Sequence, residues 1–122
     1  MGRVIHFDLE ARNPERAIKF YEEAFEWSFT KWDGPVEYWL IETGPDSEPG
    51  IHGGLARTES EKTTTTNTIG VKNLDATLEK IRSLGGKVVR DKGPIKGVGW
   101  IAYVVDTEGN YFGVIEEDAS VE

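Results

Sequence analysis

The chain has 122 residues, which suits one compact domain. Hydrophobic residues make up 38% of it, and the four Trp, four Tyr and five Phe exclude a disordered chain. Lys and Arg number 14 against 22 Asp and Glu, and the net charge of −8 disfavours nucleic acid and anionic membranes as partners. Cysteine is absent, so disulfides and thiolate sites are excluded. There is no apolar run of about 18 residues, and charged residues fall within the first ten. We therefore predict a cytoplasmic protein without a membrane span.

The first half of the chain predicts one strand, one helix and three further strands. Ile5, Phe7 and Leu9 alternate with polar residues, which is the period of a half-buried strand over 3–10. Asn13 and Pro14 are typical of a helix start, and helical spacing of apolar residues continues to Phe25. The three strands that should follow are Trp27–Trp32, Val36–Glu42 and Ile51–Arg57.

The second half predicts the same order of elements after a polar connector over 58–66. A strand at Thr66–Lys72 precedes a helix that Asn73 caps and that ends at Leu84, before a Gly pair. The Gly- and Pro-rich segment Lys92–Gly99 predicts a loop, with residues 93–99 forming a lid over a cavity. The other predicted strands are Lys87–Arg90, Gly99–Asp106 and Tyr111–Glu117.

The two halves match at a fixed offset of 60 residues, which indicates an internal duplication. Asn13 and Asn73 are equivalent helix caps, and the apolar positions of the two helices also coincide at this offset. The pattern predicts two βαβββ modules, over residues 1–59 and 60–122. Because a unit of about 60 residues buries only a marginal core, we expect both modules to pack as a single domain over 1–122.

Three segments carry a resemblance to a known family: VIHFDLEARNPERAIKFYEEAFEW, KNLDATLEKIRSLGGKVV and GVGWIAYVVDTEGNYFGVIE. Together they resemble the vicinal oxygen chelate superfamily, which includes glyoxalase I, extradiol dioxygenases and bleomycin-resistance proteins. The most similar members are small proteins described as related to lactoylglutathione lyase. The resemblance implies an α+β fold, in which two βαβββ modules form one curled mixed sheet around a cavity with one helix per module outside. It also implies a homodimer.

Metal-dependent members of this superfamily place two His and two Glu ligands on equivalent strands of both modules. The resemblance puts His6 at the first of these positions. It puts Thr68, Gly53 and Gly113 at the other three, where none supplies a strong donor. Since a catalytic site of this type needs at least three protein ligands, the sequence predicts no bound metal and no cofactor.

The remaining ionisable residues have both structural and functional interpretations. His6 is either a hydrogen-bonded residue lining a cavity or a general base that contacts the ligand. Asp8 shares its face, although a spacing of about 6.5 Å makes a direct bond difficult. His52 and Glu116 are predicted to lie out of phase with the ligand positions. No catalytic residue is assigned, and the predicted substrate-binding residues are His6, Asp8, Thr68, Trp100 and Tyr111.

Three functional hypotheses follow from the sequence. The first is a glyoxalase-like protein that binds a small organic molecule and acts on it without a metal. The second is a non-catalytic protein that sequesters such a molecule, as resistance proteins of this superfamily do. The third is a metal-dependent lyase or dioxygenase with an unusual ligand set.

Overall fold

The computed structural model describes residues 2–122 and shows eight strands and two helices in that range. The first half contains β1 (Arg3–Ala11), α1 (Pro14–Phe25), β2 (Ser28–Lys31), β3 (Tyr38–Glu42) and β4 (His52–Arg57). The second contains β5 (Thr65–Gly70), α2 (Leu74–Ser83), β6 (Lys87–Ile95), β7 (Gly99–Val105) and β8 (Tyr111–Glu117). The predicted α+β fold of two βαβββ modules is confirmed.

The chain divides into two compact units, one of residues 6–66 and one of residues 67–122 together with 2–5. Within the first unit the strand order is β2-β3-β4-β1, and within the second it is β6-β7-β8-β5. In each unit the first and last strands of the module are parallel, while the other neighbours are antiparallel. The repeated order supports the duplication seen in the sequence. Whether the units make one domain stays a prediction.

Each helix covers one face of its own unit. The side chains of Asn13 and Asn73 accept hydrogen bonds from backbone N–H groups three residues on, as expected of helix caps. Apolar residues of α1 pack on a core around Ile41 and Leu55, and α2 packs on a separate core in the second unit. Neither helix is long and apolar enough to span a membrane among the residues described.

The segment predicted to be a loop over Lys92–Gly99 is a β-hairpin, in which residues 92–95 belong to β6, residues 96–98 form the turn and Gly99 begins β7. Strand β6 continues to Ile95, and its end pairs with the start of β7 through Gly93 opposite Ile101 and Ile95 opposite Gly99. Two register shifts interrupt the pairing before Gly93. Pro94 is tolerated because β6 ends the strand order of its unit, where a missing N–H costs no ladder bond. The loop prediction was therefore wrong for residues 92–95, where Gly and Pro mark an irregular edge strand, and right for the turn over 96–98.

The turn between β7 and β8 is organised by the carboxylate of Asp106. This group accepts hydrogen bonds from the backbone N–H of Glu108 at 2.8 Å and of Asn110 at 2.9 Å. It also accepts one from the side-chain amide of Asn110 at 2.8 Å. These bonds, with that of the Asn110 side chain foremost, lower the pKa of Asp106. Ionisation of Asp106 therefore stabilises the folded turn.

Replacing Asp106 with Ala is expected to lower the urea midpoint of unfolding at neutral pH. A carboxyl whose pKa is lowered by folding contributes stability above its unfolded value of about 3.9, and this contribution is lost as the pH falls through the folded value. The difference between wild type and Asp106→Ala should therefore shrink in acid. Tryptophan fluorescence across a pH series measures it. Asp33→Ala, at an exposed position without such bonds, is the control, and equal midpoints for wild type and Asp106→Ala at neutral pH would contradict the expectation.

Candidate functional site

The side chains of β1 point alternately to the core of the first unit and to the opposite face of the sheet. Phe7 and Leu9 pack against the core that α1 covers. Because successive strand side chains point to opposite faces, His6 and Asp8 lie on the face away from this helix. Their side chains are 34% and 28% exposed, so they are sheltered but open to a ligand.

His6, Asp8 and Tyr38 form one hydrogen-bonded cluster on this face. The hydroxyl of Tyr38 donates to Oδ1 of Asp8 at 2.5 Å. Nε2 of His6 lies 3.2 Å from the same oxygen and 3.1 Å from the Tyr38 hydroxyl. The direct contact between His6 and Asp8 corrects the expectation that two residues at this spacing would not reach each other.

The direction of these bonds fixes which imidazole nitrogen carries the proton. The proton of Tyr38 is directed at Asp8, so both groups facing Nε2 of His6 present lone pairs to it. Nε2 is therefore the protonated nitrogen of the neutral ring, and Nδ1 holds the lone pair. Within residues 2–122 no hydrogen bond reaches Nδ1 of His6 or Oδ2 of Asp8. The cluster offers these two acceptors to a bound molecule.

Gly54 determines whether Tyr38 can join the cluster. Tyr38 belongs to β3 and its partners to β1, with β4 between them, so the phenol ring must lie across β4. It crosses at Gly54, where an added Cβ would lie 1.5 Å from the Tyr38 oxygen and 2.0 Å from its ring. Since no side chain fits under the ring, we expect only glycine at this position to permit the observed contact.

One aromatic and one aliphatic side chain lie near Tyr38 on the same face. The ring of Trp32 meets that of Tyr38 edge-on, with 6.0 Å between their centroids. Leu40, two residues after Tyr38 on β3, is 46% exposed. These side chains can hold the apolar body of a small molecule next to His6.

His52, not Gly53, lies beside His6 in the pairing of β1 with β4. An added Cβ at Gly53 would lie 2.7 Å from the ring of Phe7, so Gly53 faces the core. The assignment of Gly53 to a ligand position beside His6, with His52 out of phase, was therefore wrong, because the offset of 60 does not preserve strand phase in β4. His52 occupies that face instead.

Both ring nitrogens of His52 are nevertheless engaged. The backbone N–H of Thr43 donates to Nδ1 at 3.1 Å, and Nε2 donates to Oδ1 of Asp46 at 3.0 Å. The lone pair that a metal would need is thus held by a backbone amide. Glu116 is also engaged, because its carboxylate accepts the N–H of Leu74 at 2.8 Å at the start of α2.

The second unit has no counterpart of the His6 cluster at the equivalent pair of positions. Thr68 on β5 pairs with Gly113 on β8. Thr68 is 2% exposed, and its hydroxyl has no hydrogen-bond partner among residues 2–122. An added Cβ at Gly113 would lie 3.0 Å from that hydroxyl. The only side-chain functional group at this pair of positions is therefore the hydroxyl of Thr68.

The other two predicted binding residues lie on different faces of the second unit. Trp100 packs against the core beneath α2, with the Lys92 ammonium 5.2 Å from its ring. Tyr111 is 47% exposed and stacks on Tyr103 at 5.6 Å. Tyr103 also borders the space beside Gly113, so Tyr111 shares the face of Thr68. Ligand contact by Thr68, Trp100 and Tyr111 stays a prediction.

These residues do not fit the metal site of the superfamily. Residues 2–122 hold no group of three or more His, Cys, Asp and Glu placed to bind an ion. Of the equivalent positions, His6 alone has a free nitrogen lone pair. Three or more converging protein ligands are the usual requirement for catalytic zinc, and this chain does not bring them together.

Sequence comparison identifies the family. The profile described as a glyoxalase-like domain matches residues 4–115, so the chain belongs to this family and to the vicinal oxygen chelate superfamily. A probable lactoylglutathione lyase of Vibrio parahaemolyticus is 29% identical, with 94% of this chain and 91% of the relative aligned. The lactoylglutathione lyase of Haemophilus influenzae is 27% identical, with 97% and 95% aligned.

Solved structures show the same fold at low sequence identity. The methylmalonyl-CoA epimerase of Mycobacterium tuberculosis superposes with a TM-score of 0.74 at 13% identity, covering 94% of this chain and 87% of the epimerase. A hypothetical protein of Bacillus halodurans gives 0.77 at 15% identity, covering 99% and 98%. At these identities the likeness establishes the fold alone.

Sequence reasoning missed Tyr38 and Gly54 as site residues. The contact of Tyr38 with Asp8 joins residues 30 positions apart through an intervening strand. The Gly53-Gly54 pair was the available signal, because glycine inside a strand often marks a close approach. The sequence did not show which side chain makes that approach.

Gly54→Ala is expected to displace Tyr38 from Asp8 and to change the nitrogen signals of the His6 imidazole. A hydrogen bond to a charged group contributes about 1.5–3 kcal/mol, so a comparable loss of unfolding free energy should accompany the change. Nitrogen-15 NMR of the two histidines measures the first effect, with His52 as the internal reference.

Gly44→Ala is the matched control, because an added Cβ there meets nothing within 4 Å. It should leave the His6 signals in place. Unchanged His6 signals in Gly54→Ala would show that Tyr38 reaches the cluster without needing glycine at this position.

Proposed function

We propose that this protein binds a small organic molecule at the His6–Asp8–Tyr38 cluster and removes a proton from it without a metal ion. The observation that carries the proposal is the free lone pair on Nδ1 of an imidazole whose other nitrogen is held by Asp8 and Tyr38. A side chain held in this way has one orientation and one basic atom, which general-base catalysis requires. The apolar surface of Trp32 and Leu40 supports binding of an organic body.

The proton transfer is a single reversible step. A bond between hydrogen and the ligand breaks, its electron pair stays on the ligand, and the proton joins Nδ1 of His6. The imidazolium that forms keeps its Nε2–H directed at the Asp8 carboxylate, which offsets the new positive charge. Return of the proton to the same or another face of the ligand completes the exchange and frees His6.

Two alternatives differ from this proposal in one property each. In a sequestering protein the ligand would bind the cluster and leave unchanged. In a metal-dependent lyase, the activity named for the Haemophilus influenzae relative, an ion would be needed. The poor fit of the donor set to a metal favours proton transfer or sequestration over a metal-dependent lyase.

Proton exchange into bound ligands is the direct test of the catalytic proposal. Compounds that raise the melting temperature in a library screen would be incubated with the protein in D₂O and followed by proton NMR. At least one should exchange a C–H proton, and His6→Ala should slow this exchange by at least about 100-fold, the scale of general-base catalysis.

His52→Gln is the control, because it removes the other imidazole while leaving the lone pair of His6 available. It should retain the exchange. Binding at His6 without exchange in any ligand would favour the sequestering protein, and exchange that survives His6→Ala would remove His6 from the mechanism.

Elemental analysis of protein purified without chelators is expected to find no stoichiometric divalent metal, with no difference between wild type and His6→Ala. The reason is the absence of a converging donor set around His6 in residues 2–122. Near-stoichiometric zinc, nickel, iron or manganese that His6→Ala removes would restore the metal-dependent hypothesis. Lactoylglutathione lyase activity that appears on adding these ions would do the same.

We also propose a homodimer and a cytoplasmic location. Phe20 and Phe25 on α1 are 58% and 57% exposed, and exposed aromatic surface of this kind is typical of partner contacts. The location rests on the composition of the sequence.

A further inference from the structure

We infer that the natural ligand of the His6 cluster is an organic cation with N–H donors and an aromatic or apolar body. The inference rests on the proposed function, since it names the ligand class of the same site. It depends on three features of the first unit: the groups the cluster leaves unpaired, the charge of the unit, and the aromatic ring beside the cluster.

The unpaired groups of the cluster are both acceptors. The hydroxyl proton of Tyr38 goes to Asp8, and the Nε2 proton of His6 is directed at Asp8 and Tyr38. What the two ionisable residues still offer is the lone pair of Nδ1 on His6 and the second carboxylate oxygen of Asp8. A carboxylate or phosphate on the ligand would meet lone pairs at both atoms, whereas an N–H donor would satisfy Oδ2 of Asp8 and leave Nδ1 of His6 to accept the transferred proton.

The net charge of the protein is concentrated in this unit. Residues 6–66 carry six Lys and Arg against thirteen Asp and Glu, a formal charge of −7. The other unit carries the remaining eight against nine, a charge of −1. The unit that holds the cluster therefore attracts cations and repels anions over a range set by the ionic strength.

The aromatic surface beside the cluster suits the same class of ligand. The Trp32 ring lies next to Tyr38, with its edge packed over the backbone of Gly34. Indole is the aromatic side chain with the strongest attraction for a cation placed over its face. A delocalised cation such as an amidinium could contact this ring while its N–H groups reach Asp8.

Three probes of nearly equal size and different charge test the inference: benzamidinium, benzamide and benzoate. Their affinities would be measured by NMR titration, following the imidazole signals of His6. Benzamidinium should shift these signals and bind at least about 10-fold more tightly than benzoate, with benzamide between them, because charge-assisted bonds to a carboxylate exceed neutral ones.

Two variants with the same change of charge separate local from general electrostatics. Asp8→Asn should reduce the preference for benzamidinium over benzoate to about 3-fold or less, since the unpaired carboxylate oxygen is lost. Glu61→Gln, at an exposed connector position of the same unit, should change the preference by less than about 2-fold, because exposed charges at a distance are screened.

The outcomes distinguish this inference from the proposed function. Benzoate binding at His6 as tightly as benzamidinium would overturn the cation class and leave the proton-transfer proposal in place. An equal loss of preference in Asp8→Asn and Glu61→Gln would also overturn it, since general attraction would then explain the result. Binding of benzamidinium without any change at His6 would overturn it as well. Failure of proton exchange with tight cation binding would overturn the proposed catalysis alone.

Discussion

The site depends on the two-residue period of β1, which places core and cluster on opposite faces of one strand. Phe7 and Leu9 are held by the core beneath α1, and this packing fixes the strand's rotation and register. His6 and Asp8 are thereby held facing the other way, beside Gly54 and Tyr38. A shift of one residue would put both polar groups into the core and both apolar groups into solvent. The free energy that stabilises the core therefore also positions the imidazole.

The two modules show how one scaffold retains its pairing while its chemistry diverges. In both, the first strand runs parallel to the last, with His6 opposite His52 and Thr68 opposite Gly113. The metal chemistry of the superfamily requires strong donors at such positions in both modules. The pair in the first module consists of two imidazoles, of which only that of His6 has a free lone pair. The pair in the second module contains no imidazole. The fold is maintained by backbone pairing and core packing, neither of which requires the ligands.

His6 has its organising partners in the protein itself. A metal would orient an imidazole by binding one of its nitrogens, and in this chain Asp8 and Tyr38 do so through hydrogen bonds to Nε2. In the proposed function, the group presented to the ligand is the lone pair of a base, whereas a bound metal would present a Lewis acid. The likeness to relatives named lactoylglutathione lyase shows the family, which is a statement about the fold and not about the reaction.

Local rules were sufficient to predict the elements and their duplication from the amino-acid sequence. Asn13 and Asn73 cap their helices as predicted, and the predicted strand at Tyr111–Glu117 has the observed bounds. Alternation in β1 also identified His6 and Asp8 as residues of one face. Only the tertiary structure showed that β6 extends through Pro94 as an edge strand, that Gly53 faces the core, and that Tyr38 crosses Gly54 to reach Asp8. Each of these depends on the register between strands distant in sequence, which is set by the summed packing of many side chains and leaves no local signal.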